Sequence, residues 1–185
     1  MRHDQRIKPL FRLLFALRPT PLIARQTDHF ASTLAGKARR ILPEHQHVTL
    51  AVTADHVDYP YRVVKSLTRA GTRIMAEPFD LPLDRLVMSN RSVALRPSRA
   101  IPLLNTLQRA IISAMQEEGV ALRPDWTFSP HQTLFYRPGQ PDQRRVDGFT
   151  WRVEDFVLLC SHVGRTHHEI LATWPLKGDG QYRLF

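Results

Sequence analysis

The chain has 185 residues, 43% of them hydrophobic and 23% charged, which are the proportions of an ordinary globular protein. No apolar run approaches the roughly 20 residues that a helix needs to cross a bilayer, so we expect no membrane segment. The Arg-rich N-terminus lacks the long apolar stretch of a secretory signal, and the single cysteine, Cys160, excludes an intrachain disulfide. We therefore expect one domain, residues 1–185, in the reducing cytoplasm.

The charge of the chain is strongly positive. The formal net charge is +9 and the pI is near 10.6, which favours a polyanionic partner such as a nucleic acid or a nucleotide. A compositional explanation stays open, because most of the positive charge is arginine and a genome rich in G and C enriches arginine without functional demand. Charge alone therefore does not decide whether the chain binds RNA.

The first elements in chain order are a strand and a long helix. Strand-forming residues fill positions 11–17. Thr20 then suits the N-cap of a helix and Pro21 its first position, and Pro43 predicts that the helix ends near residue 42. The apolar stripe of this helix, spaced for a period of 3.6 residues, consists of Ile23, Phe30, Leu34 and Ile41.

The next strand, residues 47–53, alternates between two faces and is predicted to be half-buried. Its apolar face consists of Val48, Leu50 and Val52. His47 and Thr49 share the other face, so a regular strand places the imidazole and the hydroxyl side by side. We expect a short helix over residues 60–70 after it, followed by two strands near residues 76–83 and 86–95.

The second half of the chain repeats the order of the first. A helix is predicted from Ser98 or Arg99 to Gly119, a natural C-cap. Its apolar stripe consists of Leu104, Leu107, Ile111 and Met115. We expect a polar loop over residues 139–148, which contains Arg144 and Arg145. The closing strands are expected near residues 151–160 and 169–174.

Between that helix and the loop lies the strand 131–136, which again alternates. Regular alternation puts His131, Thr133 and Phe135 on one face and predicts core or edge positions on the other. That other face consists of Gln132, Leu134 and Tyr136. The strand therefore offers a second imidazole and hydroxyl pair.

The two His-bearing strands carry the same tetrapeptide pattern, 84 residues apart. His47-Val48-Thr49-Leu50 is matched by His131-Gln132-Thr133-Leu134, and two copies arise by chance in well under about 1% of sequences of this composition. Each half runs strand, helix, His-bearing strand. We therefore predict an α+β fold that is bilobal and duplicated, with two mainly antiparallel sheets flanked by helices. A pseudo-twofold arrangement brings the two His-bearing strands together at a central cleft.

Two such pairs suit chemistry at a phosphodiester. Imidazoles titrate near neutral pH, so two of them facing each other across a phosphate can divide acid and base work. Two threonine hydroxyls can donate to the non-bridging oxygens and stabilise the charge that develops on a pentavalent phosphorus. This chemistry requires no metal or other cofactor. It fits transesterification or hydrolysis, above all of a strained 2′,3′-cyclic phosphate.

The sequence resembles the 2H phosphoesterases, in particular the 2′-5′ RNA ligase and RNA 2′,3′-cyclic phosphodiesterase group. The resemblance rests first on His47-Val48-Thr49-Leu50 and Pro130-His131-Gln132-Thr133-Leu134. Similar flanking segments are Arg12-Leu13-Leu14-Phe15-Ala16-Leu17, Leu42-Pro43-Glu44 and Trp174-Pro175-Leu176. The resemblance implies catalysis by His47 and His131, with Thr49 and Thr133 binding the phosphate. It also implies that His131 activates the attacking water and His47 protonates the leaving 3′ oxygen.

Departures from the family pattern surround both motifs and concern the substrate. The family usually has an arginine where Tyr136 stands, and Arg137 follows one residue late. An aromatic residue is common where His168 stands, and we expect His168 with its neighbour His167 at the surface. The candidate substrate contacts are Arg137, Arg12, Phe15 and Phe135; the alternatives are solvation for the two arginines and core packing for the two phenylalanines. His45 and His47 are spaced like a metal pair, but no carboxylate or cysteine cluster completes a site, so we expect no metal.

The leading prediction is a monomeric enzyme that opens 2′,3′-cyclic phosphates, on RNA ends or on nucleotides, to 2′-phosphates. Reversible 2′-5′ RNA ligation uses the same transition state, and sequence does not separate the two directions. The sequence alone also does not show which histidine is the acid and which is the base. The alternative is an RNA- or nucleotide-binding module that keeps the cleft without turnover, which the basic charge and the departures favour.

Overall fold

The computed structural model describes residues 10–164 and 167–178, which form an α+β fold. Its helices are α1 (Pro21–Ala35), α2 (Tyr61–Thr72) and α3 (Pro102–Glu117). Its strands are β1 (Leu10–Leu17), β2 (Val48–Val52), β3 (Phe79–Pro82), β4 (Arg85–Met88), β5 (Ser92–Arg96), β6 (Gln132–Tyr136), β7 (Asp142–Arg145), β8 (Thr150–Val153), β9 (Asp155–Val163) and β10 (His167–Pro175). No helix in the described ranges is long and apolar enough to cross a membrane.

Eight strands form one antiparallel sheet, in the order β10-β9-β1-β2-β6-β5-β4-β7, and β3 pairs with β8 in a small second sheet. The large sheet consists of two four-stranded halves that meet at β2 and β6, where Val48 pairs with Gln132. The predicted fold class is confirmed, and so is the meeting of the two His-bearing strands. The predicted pair of sheets corresponds to these halves, which are joined edge to edge.

The three helices cover one face of the large sheet. Helix residues Ile23, Leu67 and Leu107 share the main core with strand residues such as Leu13 and Phe135. The opposite face of the first half carries a smaller apolar cluster, whose members are Leu14, Ala16, Val52, Val157 and Leu159, with Trp126 packed against them. No helix residue of the described ranges belongs to this smaller cluster, and we call this second face the open face of the sheet.

Helix α1 starts as predicted but ends earlier. The Thr20 side chain accepts a hydrogen bond from the Ile23 N–H. The helix stops at Ala35 because Gly36 adopts a positive φ of 57°, a conformation that L side chains rarely take. Ile41 was assigned to the helical stripe, and this was wrong: its N–H donates to the Leu134 carbonyl, 2.8 Å away, and ties this segment to β6.

Four other boundaries differ from the predictions. The strand predicted over residues 86–95 is two strands, because a turn held by the Ser89 hydroxyl separates β4 from β5. Helix α3 begins at Pro102, since the Ser98 N–H and hydroxyl both bind the Asp84 carboxylate at 2.6 Å. The predicted loop 139–148 contains the exposed edge strand β7, and the strand predicted over residues 151–160 is divided between β8 and β9.

Both His-bearing strands contain a β-bulge at the leucine of the repeated tetrapeptide. On β2, Thr49 and Ala51 face consecutive residues of β1, so Leu50 is the extra residue. On β6, Thr133 and Phe135 face consecutive residues of β5, so Leu134 is the extra residue. A bulge adds one residue to one strand and shifts the alternation that follows it.

The bulges decide which side chains reach the open face of the sheet. After each threonine, two consecutive residues face the core: Leu50 with Ala51, and Leu134 with Phe135, all at most 1% exposed. The next residues, Val52 and Tyr136, return to the open face. The predicted alternation was therefore right up to the leucine of each tetrapeptide and wrong beyond it.

Candidate active site

A cavity of about 800 Å³ lies on the open face of the sheet, where the two halves meet. His47 and Thr49 from the first half line it together with His131 and Thr133 from the second half. Cavities of this size are typical of small-molecule sites. The four residues predicted to form the site are thus brought to one place.

Each motif histidine is oriented by the same backbone contact. His47 Nδ1 lies 2.8 Å from the carbonyl oxygen of His45, and His131 Nδ1 lies 2.7 Å from that of Ser129. A carbonyl oxygen only accepts, so Nδ1 carries the hydrogen in both rings. Nε2 is then the free nitrogen of each imidazole, able to accept a proton or, once protonated, to donate one.

Burial lowers the pKa of both motif histidines. For His47, nearby positive charge on His131 and Arg18 adds to the effect of burial, and the hydrogen bond to the His45 carbonyl opposes it. For His131, the guanidinium of Arg96 adds to burial. Both imidazoles are therefore biased toward the neutral form, and a bound phosphate would shift each back toward the charged form.

Two further histidines stand beside His47. The His168 ring packs edge to face against His47, with 4.9 Å between ring centroids, and against His45 at 5.4 Å. Burial, followed by the charges of His47 and His45, lowers the pKa of His168 to about 4. His168 lines the cavity, so the predicted surface position was wrong. Only the register of β10 reveals this placement, and no local pattern in the sequence encodes it.

The cavity wall also contains a cationic cluster. Arg12 donates two hydrogen bonds to the Asp55 carboxylate, at 2.6 and 2.8 Å, and Arg123 approaches the same carboxylate at 3.6 Å. These hydrogen bonds raise the pKa of Arg12 and lower that of Asp55. Arg12 and Arg123 line the cavity with Tyr136. Arg12 was predicted as a substrate contact and Arg123 was missed, because it comes from an irregular segment without periodicity.

The other three predicted contacts lie elsewhere. Phe15 is 1% exposed and Phe135 is 0% exposed, and both belong to the main core. Arg137 donates to the Leu34 carbonyl at 2.9 Å, and its guanidinium lies over the Phe135 ring. The bulge at Leu134 explains why Phe135 faces the core and why the next residue, Tyr136, faces the cavity.

A buried glutamine pair joins the two His-bearing strands on the core side. Gln46 precedes His47 and Gln132 follows His131, and their side chains are 1% and 0% exposed. Gln132 Nε2 donates to Gln46 Oε1 at 2.9 Å. The strands share one residue pairing, Val48 with Gln132, so this bond is an additional link between the halves. Sequence reasoning assigned no role to either glutamine.

Within residues 10–164 and 167–178, no three side chains of histidine, cysteine, aspartate or glutamate are placed to hold one metal ion. The imidazoles of His45, His47 and His168 contact one another through ring edges and faces.

An antiparallel sheet of two related halves, each supplying one His-x-Thr pair to a shared cavity, is the architecture of the two-histidine phosphoesterases. The fold is shared with solved structures. E. coli LigT in complex with 3′-AMP matches with a TM-score of 0.74 and 23% identity, over 91% of this chain and 98% of that one. The protein TT0787 of Thermus thermophilus matches with a TM-score of 0.71 and 19% identity, over 91% and 99%.

The sequence identifies the superfamily to which the chain belongs. The model of the 2′-5′ RNA ligase superfamily matches residues 19–164, and the chain belongs to this superfamily. A search of the curated proteins finds no significant match.

Proposed function

We propose that the protein is a metal-independent phosphoesterase that hydrolyses 2′,3′-cyclic phosphates to 2′-phosphates. The observation that carries this proposal is the matched orientation of His47 and His131, each with Nδ1 held by a carbonyl and Nε2 free at one cavity. Support also comes from E. coli LigT, whose structures include complexes with 3′-AMP, ATP and phosphate.

The proposed reaction begins with the cyclic phosphate between the two imidazoles. His131 Nε2 takes a proton from water as the water oxygen attacks phosphorus, and His47 Nε2–H gives a proton to the 3′ oxygen as its bond to phosphorus breaks. One proton is gained by one imidazole and one is lost by the other, so the pair ends in the complementary protonation state. Exchange with solvent then restores the pair for the next cycle.

The threonines act on the charge that develops at phosphorus. Thr49 and Thr133 lie two residues after each histidine, before the bulges, and face the same cavity. Their hydroxyls donate to the non-bridging oxygens, which become more negative in the pentavalent transition state. With a 5′-hydroxyl in the place of water, the same step forms a 2′-5′ linkage as the 3′ oxygen leaves, and attack of the 3′-hydroxyl on that linkage, with loss of the 5′ oxygen, reverses it. The proposal therefore includes reversible ligation.

The arginines in the cavity favour a nucleotide or RNA as the substrate. Arg12 keeps two of its guanidinium nitrogens on Asp55, and Arg123 is 41% exposed. Guanidinium groups suit phosphate oxygens because they present several donors in one plane. Since the two guanidinium groups share the one carboxylate of Asp55, the three side chains together keep a positive charge beside the cavity.

Alanine variants of the two histidines test the mechanism. His47→Ala and His131→Ala are each expected to lower the rate of cyclic phosphate hydrolysis at least about 10²-fold, since each removes a general acid or base. His29→Ala is the matched control, because His29 is exposed on α1. Activity that survives either cavity variant would remove that histidine from the mechanism, and a loss in the control would show that the assay reports folding.

The second candidate is a binding module without turnover. It is favoured by the lowered pKa of both motif histidines, which biases these two imidazoles toward the neutral form in the unliganded cavity. Tight, salt-sensitive binding of RNA without product selects this candidate, because release of counterions from the phosphates makes RNA affinity depend on salt. An affinity that does not change with salt would exclude an RNA backbone as the ligand.

A further inference from the structure

A second, smaller cavity adjoins the first on the His47 side. Its volume is about 310 Å³, and its wall consists of Arg18, Glu44, His45, Gln46, Leu159, His168 and Ile170. His45 and His168 belong to the walls of both cavities. The two spaces are therefore neighbours separated by a pair of imidazoles, one of which contacts the ring of His47.

The wall of this second cavity combines two imidazoles and two apolar side chains with the guanidinium of Arg18 and the carboxylate of Glu44. Leu159 and Ile170 face each other across β9 and β10, and Ile170 is 46% exposed although its side chain is apolar. One guanidinium nitrogen of Arg18 donates to the Glu44 carbonyl at 3.1 Å, and the other nitrogens can donate to a ligand. An apolar and imidazole surface next to a guanidinium suits a nucleobase and its phosphate.

The proposed chemistry fixes what lies on this side of the reacting phosphorus. His47 protonates the 3′ oxygen, so the ribose that carries the cyclic phosphate lies toward His47. In a nucleoside cyclic phosphate this ribose carries only its own base and a free 5′-hydroxyl. In an RNA end, the same ribose continues through its 5′ oxygen into a phosphodiester and a second nucleoside.

We propose that the second cavity binds the penultimate nucleotide of an RNA whose 3′ end is a 2′,3′-cyclic phosphate. This rests on the proposed function and narrows its substrate class from nucleotides in general to RNA ends. Arg18 binds the phosphodiester between the last two nucleosides, while Leu159 and Ile170 pack against the penultimate base. A volume near 300 Å³ is at the small end of ligand sites and fits one nucleoside rather than a longer segment.

The substitution Ile170→Glu tests this inference without altering a residue that touches His47. It puts a carboxylate in the second cavity, where it repels a phosphodiester and replaces an apolar wall. Two substrates are compared: a nucleoside 2′,3′-cyclic phosphate and a dinucleotide that ends in the same group. Met75→Glu is the matched control, since Met75 is also an exposed apolar residue, at 65%, and lies outside both cavity walls.

The expected result is a loss confined to the longer substrate. Ile170→Glu lowers kcat/KM for the dinucleotide about tenfold or more, the range of one lost base contact, and changes the mononucleotide by less than about twofold. Equal losses on both substrates, or no loss on either, would overturn the inference. If the wild-type protein turns over neither substrate, the proposed function itself fails, and the second-cavity assignment fails with it.

Discussion

Replacing the buried glutamines one at a time and together measures how strongly the two halves are joined beneath the site. Gln132→Leu removes the donor to Gln46 Oε1 and leaves that oxygen buried. An unsatisfied buried acceptor costs about 1–3 kcal/mol. Gln132 Oε1 already has no hydrogen-bond partner within the described residues, and its removal recovers part of this cost, so we expect a loss of about 1 kcal/mol in the free energy of unfolding.

The partner substitution is expected to cost more. Gln46→Leu leaves both amide atoms of Gln132 without a partner in the described part of the chain and removes the long bond from Gln46 Nε2 to the Ile41 carbonyl. We expect a loss of about 2–3 kcal/mol. In the double variant the apolar side chains face each other, and replacing both partners of a buried hydrogen bond by apolar groups is often nearly neutral.

Urea unfolding of the four proteins gives the coupling free energy directly. The double variant should be more stable than the sum of the single losses predicts, and Gln46→Leu should be less stable than Gln132→Leu. Strictly additive losses, or the reverse order of the two single variants, would show that this hydrogen bond does not join the halves.

Three further measurements test the pKa shifts and the packing. Burial lowers the pKa of both motif histidines below 6.5, so the pH profile of kcat/KM, which reports the free protein, should peak below pH 6.5; an alkaline peak would contradict this. The pKa of His168 is about 4 in the folded protein, against an ordinary value of 6.5. As the pH falls, the unfolded chain therefore takes up this proton before the folded protein does. The stability that the neutral ring contributes above pH 6.5 is lost as the pH falls toward 4. Between pH 6.5 and about pH 4, the free energy of unfolding should fall less for His168→Phe than for the wild type. An equal fall in the two proteins would refute the pKa shift. Gly71→Ala places a Cβ 2.5 Å from Cζ2 of Trp174 and should cost about 1–3 kcal/mol in the free energy of unfolding. The control, Gly139→Ala, places a Cβ with nothing within 4 Å and should cost far less. Equal costs would show that the indole moves aside.

The repeated tetrapeptide carried most of what could be predicted. Because side chains alternate along a strand, His47 with Thr49 and His131 with Thr133 had to share a face, and the duplicated order of elements indicated that the two strands meet. Both expectations hold in the structure, where β2 lies beside β6 and all four residues line one cavity. The α+β class followed from the same order of elements.

The bulges are what the sequence pattern could not reveal. Alternation assumes that each residue has one partner, and an extra residue reverses every face after it. Leu50 and Leu134 look like ordinary strand residues, so Phe135 was predicted on the face of His131 and Tyr136 at a core or edge position on the other face. In the structure Phe135 lies in the core and Tyr136 lines the cavity. His168 was missed for a related reason: it reaches the cavity through long-range register.

The two halves share a backbone device but differ in what surrounds it. The same bulge and the same contact from Nδ1 to a carbonyl occur in both, while the residues five positions after each histidine are Val52 and Tyr136. A symmetric backbone with different side chains in its two halves suits a substrate in which different groups flank the phosphate. The second cavity lies beside His47, which fits a substrate that extends to one side of the phosphorus.

Phosphorus NMR of a nucleoside 2′,3′-cyclic phosphate, incubated with the protein in the presence of EDTA, tests the two-histidine mechanism most directly. The mechanism predicts that the cyclic phosphate resonance disappears over many turnovers and that a single 2′-monophosphate resonance replaces it. A cyclic phosphate that stays intact at stoichiometric protein, or a product that is the 3′-monophosphate, would contradict the mechanism.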